Sequence, residues 1–138
     1  LLGADGGCVA LRMTLLSSTV SVPVIRALVQ RVTDVWGYGT QLIDDAELVA
    51  SELTANAVLH GQAEGCACFD VRLRPGYQHL RIEVADTGPS LPRQKTPGSV
   101  AETGRGLLLV EAVSQRWGVV RETPAGKTVW AELATDSS

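Results

Sequence analysis

The chain has 138 residues, 45% of them apolar and 20% charged, with a formal net charge of -3. That length suits one domain with a single core. The acidic balance excludes a protein built to coat nucleic acid or an anionic membrane, since both demand a positive field. No apolar run approaches the roughly 20 residues of a bilayer-spanning helix, and no charged, apolar and cleavable leader opens the chain, so a cytoplasmic location is the default. The three cysteines, Cys8, Cys66 and Cys68, cannot all pair internally and lack zinc-site spacing, which leaves them as small packing residues.

Cys8 to Leu16 is apolar enough for an opening strand, and Ser17 to Ser21 supplies hydroxyls that cap helices. A first helix is expected over Val22–Trp36, with Pro23 in its first turn and Gly37 ending it. In the second, Asp44 and Asp45 lie near the positive end of the dipole, Leu42, Ala46, Val49, Leu53 and Ala57 make the apolar stripe, and His60-Gly61 is the stop. Strand signals follow at Cys66–Arg74 and Leu80–Asp86, joined by a turn at Pro75-Gly76. Pro89, Pro92, Pro97 and Gly98 mark a loop. A third helix runs from Gly104-Arg105-Gly106 to about Arg116, and strands at Trp117–Glu122 and Lys127–Leu133 flank a turn at Pro124–Gly126. The expected domain spans 8–134, with tails at 1–7 and 135–138. This order is not the regular alternation of a doubly wound sheet. It predicts an α+β two-layer sandwich, in which helices cover one face of a mixed, mostly antiparallel sheet.

Four segments carry possible chemistry. Glu52 and Asn56 are four residues apart, about 40° around a helix, at the rim of its apolar stripe. An oxygen ligand and a potential base facing one cavity would suit Mg2+ and a nucleophile; a solvated Glu beside an Asn is the plain alternative. Asp86 shares the parity of the buried Leu80, Ile82 and Val84, and its carboxylate could accept from the amine of a ring such as adenine or serve an Asp-Thr-Gly turn. Gly104-Arg105-Gly106 before Leu107 offers backbone N–H groups to a phosphate, or is only a helix entry. Gly126-Lys127-Thr128 puts a hydroxyl at a strand start without the features of a phosphate-cradling loop.

In this order the segments resemble the four motifs of the GHKL ATP-binding family: Glu52-x-x-x-Asn56-Ala57, Asp86-x-Gly88, Gly104-Arg105-Gly106-Leu107 and Gly126-Lys127-Thr128. The likeness runs from about Val22 to Leu133. Ser51–Gly61 and Arg116-Trp-Gly-Val119 are similar to the anti-sigma-factor serine kinases and the short ATP-binding regulators of actinobacteria. The resemblance implies a Bergerat-type sandwich binding ATP and Mg2+. In it Glu52 acts as base and Asn56 holds the metal; Asp86 takes the adenine amine, Gly88 admits the ring and Thr128 supports it. Gly104, Arg105, Gly106 and Leu107 form the lid hinge and phosphate-facing turn. It further implies a serine/threonine kinase whose partners are a sigma factor and an anti-sigma-factor antagonist, and it allows a homodimer. The rival readings are a non-catalytic ATP-binding module and an interaction domain with incidental motifs. The sequence departs from the usual Asp-x-Gly-x-Gly, because Pro89 and Ser90 follow Gly88.

Overall fold

The computed structural model describes residues 11–64, 68–86, 106–121 and 126–135, with the backbone alone for 60–64. Of the expected site residues, Gly88, Gly104 and Arg105 lie outside these segments, as do Cys8, Cys66 and most of the turn at Pro124–Gly126. The chain runs β1 (Leu11–Leu16), α1 (Ser21–Val35), α2 (Thr40–Glu64), β2 (Cys68–Gly76) and β3 (His79–Asp86). Helix α3, described over 106–113, follows, then β4 (Arg116–Arg121) and β5 (Lys127–Ala134). The strands form one sheet in the order β1-β2-β3-β5-β4, and every described pairing is antiparallel. The expected two-layer α+β sandwich is present, with α2 packed on β2, β3 and β5.

Alternation assigns the faces. Phe69, Val71 and Leu73 of β2, Leu80, Ile82 and Val84 of β3, and Val129, Ala131 and Leu133 of β5 point toward the helices and are buried. Against them α2 lays the stripe Leu42, Ala46, Val49, Leu53 and Ala57, and α1 adds Ile25 and Val29. A fully buried residue of this kind stabilises by roughly 1.5–3 kcal/mol. Arg26 Nε donates to Ser51 Oγ at 3.1 Å, tying α1 to the turn of α2 that carries Glu52.

Several expected boundaries move. Helix α2 continues through Gly61 to Glu64, because a glycine weakens a helix by only about 1 kcal/mol and helix formers follow it. It begins at Thr40, so Asp44 and Asp45 lie beyond the first turn, and Asp45 instead accepts from Gln41 Nε2 at 3.2 Å. Pro75 and Gly76 remain in β2, paired with Leu80 and His79. The turn is Tyr77-Gln78, with Gln78 at φ 62. Helix α3 ends at residue 113, and Arg116 opens β4.

The other face of the sheet carries a ladder of ions that the sequence reading did not anticipate. Thr14 Oγ1 and Arg12 Nη2 donate to Asp70 at 2.6 and 2.7 Å. Arg81 donates to Glu83 at 2.6 Å and to Glu132 at 2.9 Å, and Arg116 Nε reaches Glu132 at 3.1 Å. Trp130 lies on this face with the Arg81 guanidinium 4.1 Å from its ring centroid.

Burial by itself would raise the carboxyls of Asp70, Glu83 and Glu132, yet all three are held below the usual range. Hydrogen bonds from Thr14 and Arg12 outweigh burial at Asp70, those from Arg81 and Arg74 with their charges do so at Glu83, and those from Arg116 and Arg81 do so at Glu132. Carboxyls lowered in the fold contribute stability in full above their unfolded value and lose it as pH falls through the folded one. Thermal melts should therefore stay level down to about pH 4–5 and drop below it, and the drop should be shallower in Glu132→Gln. Equal slopes in the two proteins would remove Glu132 from the acid response.

Candidate nucleotide site

At one end of the helix-covered face, the sheet and two helices leave a cavity of about 210 Å³ lined by Leu53, Asn56, Ala57, Val84, Asp86, Leu107, Val119, Arg121, Lys127 and Val129. Register explains its make-up. Val84, Val129 and Val119 lie in one row across β3, β5 and β4 and make an apolar floor. One step outward on the same face comes a polar row. Lys127 pairs with Arg121, and continuing the β3–β5 register beyond Ala85–Thr128 sets Asp86 across from Lys127. Helix α2 supplies Leu53, Asn56 and Ala57 from above, and α3 supplies Leu107. An apolar floor under a few convergent polar groups is the usual build of a small-molecule site.

Two glycines bring these segments together. A Cβ on Gly126, whose φ is +109°, would meet the Asp86 carbonyl oxygen at 2.8 Å, so the start of β5 lies against the end of β3 only because no side chain intervenes. A Cβ on Gly106 would meet Glu52 Oε1 at 3.0 Å and Asn56 Oδ1 at 4.0 Å. The carboxylate and the carboxamide of α2 therefore both face the described start of α3. Their oxygen donors suit a hard cation that keeps phosphate and water among its ligands. Among the described residues, no cluster of three or more His, Cys, Asp or Glu could hold a metal by itself.

The structure thus places Asn56, Asp86 and Leu107 on one cavity and Glu52 with Gly106 beside Asn56. It does not place Thr128 there. Thr128 opposes Ala85 and Val120 and shares the parity of Trp130 and Glu132, which directs its side chain to the other face of the sheet. The preceding residue, Lys127, occupies the cavity wall instead. Sequence reasoning missed Lys127 and Arg121. The signal was present, because Lys127 alternates in phase with Val129, Ala131 and Leu133. Trp117 packs against the core.

A comparison with curated proteins finds no match. Among solved structures, the chain is similar to one in the crystal structure of the SiaB-SiaC complex from Pseudomonas aeruginosa. The TM-score is 0.69 at 14% identity, covering 89% of this chain and 88% of that one. At that identity the likeness speaks for the fold. The family model described as the histidine kinase-like ATPase domain matches residues 16–133, which takes in both long helices, β2 to β4, β5 but for its last residue and the whole described lining of the cavity, and only the last residue of β1. By this match the chain belongs to the histidine kinase-like ATPase domain family.

Proposed function

We propose that the protein is an ATP- and Mg2+-dependent serine/threonine kinase that phosphorylates an anti-sigma-factor antagonist and otherwise sequesters a sigma factor. The observation that carries this reading is the convergence of Glu52 and Asn56 on Gly106, beside a cavity that Asn56 and Asp86 both line. On this reading a metal ligand and a purine acceptor from segments far apart in the chain line one cleft, and the base lies beside the metal ligand.

The valine floor and Leu53 would cover the ring of the base, and Asp86 would accept from its exocyclic amine. A cavity of about 210 Å³ is smaller than those that enclose whole drug-sized ligands, roughly 300–1,000 Å³, so the described residues enclose the base and leave the phosphates to its mouth. Asn56 would hold Mg2+ there together with phosphate oxygens. Bound ATP supplies the phosphoryl group, with Mg2+ offsetting its charge. Glu52 would orient the attacking hydroxyl and take its proton. In such a transfer the protein contributes positioning and electrostatics more than covalent chemistry.

A second reading, an ATP-binding module that transfers no phosphate, draws on Pro89 and Ser90 standing where a second glycine is usual. That the similar fold comes from a complex of two proteins supports a protein partner under either reading. Incubation with labelled ATP, Mg2+ and candidate antagonist proteins separates the two. Label on a serine or threonine of the antagonist is expected, and ATP binding without any transfer would favour the module.

The metal assignment has its own check. Asn56→Ala should weaken ATP binding chiefly when Mg2+ is present, and calorimetry with and without the metal measures the difference. An unchanged metal dependence would take Asn56 out of the metal shell.

A further inference from the structure

We propose that Lys127 is a specificity-determining residue that reads the ring edge of the purine beside Asp86. The inference rests on the nucleotide reading above and adds to it a donor that the family motifs do not supply. An adenine presents two adjacent groups on one edge, the C6 amine that donates and the ring nitrogen N1 that accepts. Recognition of both requires an acceptor and a donor side by side. The polar row at the cavity offers that pair: Asp86 at the end of β3 and Lys127 at the start of β5, both lining the same space.

Two features support the assignment. First, strand alternation sends Lys127, not Thr128, to the cavity wall, so the side chain beside Asp86 there is an ammonium. Second, neighbouring strands lie about 4.8 Å apart, and a four-carbon stem lets the ammonium reach past its own strand to a ring placed over the valine floor.

The alternative source of affinity is general attraction between Lys127 and the triphosphate, and an atom-specific ligand separates the two. The nucleotide 1-deaza-ATP carries C–H in place of N1 and keeps the amine and every phosphate. Titrations of wild type and Lys127→Met with ATP and with 1-deaza-ATP close a cycle. Met keeps the length and much of the stem, and its unliganded melt confirms folding. A hydrogen bond from a charged donor predicts at least about a tenfold preference of the wild type for ATP over 1-deaza-ATP, and about the same loss of ATP affinity in Lys127→Met. The variant should bind 1-deaza-ATP as the wild type does. Equal losses for both ligands would assign Lys127 to the phosphates and overturn the inference, as would a variant that binds ATP normally. If the wild type binds neither ligand, the nucleotide reading itself fails, a result distinct from the others.

Discussion

Glu52→Gln is expected to keep ATP binding within about twofold of wild type and to lower phosphate transfer at least about a hundredfold, the low end of what a general base contributes. The substitution changes charge and basicity while preserving shape. That matters here because the side chain is seated closely: its Oε1 lies 3.0 Å from where a Cβ of Gly106 would be, so a bulkier residue would displace the start of α3. A neutral amide of the same size keeps that packing and removes only the proton acceptor. A hundredfold loss corresponds to about 2.7 kcal/mol of transition-state stabilisation, well above what a small shift in nucleotide pose would produce. Single-turnover transfer to the antagonist, beside an equilibrium titration of ATP, reads both quantities. Equal transfer by the two proteins would remove Glu52 from the chemistry. A parallel loss of binding would make it a structural or binding group.

The parts of this site that are legible in the sequence are those fixed by local periodicity. Leu42, Ala46, Val49, Leu53 and Ala57 repeat with the helical period, so the core face of α2 follows, and with it the rim position of Glu52 and Asn56. Leu80, Ile82 and Val84 alternate cleanly, which puts Asp86 on the helix-covered face. The same rule puts Lys127, not Thr128, on the cavity wall. A hydroxyl after a glycine and a lysine looks like a ligand group, but period two in β5 assigns the cavity to Lys127 and Val129. Long-range register is what the sequence hides. That Asp86, Lys127 and Arg121 form one row follows from β5 inserting between β3 and β4, an order that no local pattern encodes. The ion ladder on the far face is hidden for the same reason. Asp70, Glu83 and Glu132 read singly as solvated charges, and only pairing across the strands shows them buried beneath arginines. Gly61 shows the limit of a local stop signal, since one glycine followed by helix formers does not end α2.

Asp86→Ala should lower ATP affinity by about ten- to a hundredfold, the 1.5–3 kcal/mol expected of a hydrogen bond to a charged group. Asp86 closes β3 on the cavity side, and its own backbone carbonyl is the atom against which Gly126 is packed. The backbone contact does not involve the side chain, so truncation at Cβ keeps that contact while it deletes the acceptor. Thermal unfolding makes the consequence measurable. A ligand present at a hundred times its dissociation constant stabilises the fold by about 2.7 kcal/mol, and a hundredfold loss of affinity reduces that to about 0.4 kcal/mol. For a domain of this size the wild-type gain is a rise in Tm of roughly 10 °C, most of which the variant should lose when each protein is compared with its own unliganded melt. If the nucleotide raises the Tm of both proteins equally, the base is not held by Asp86. The acceptor for its amine would then have to be sought elsewhere on the cavity wall, and the pairing with Lys127 would lose its partner.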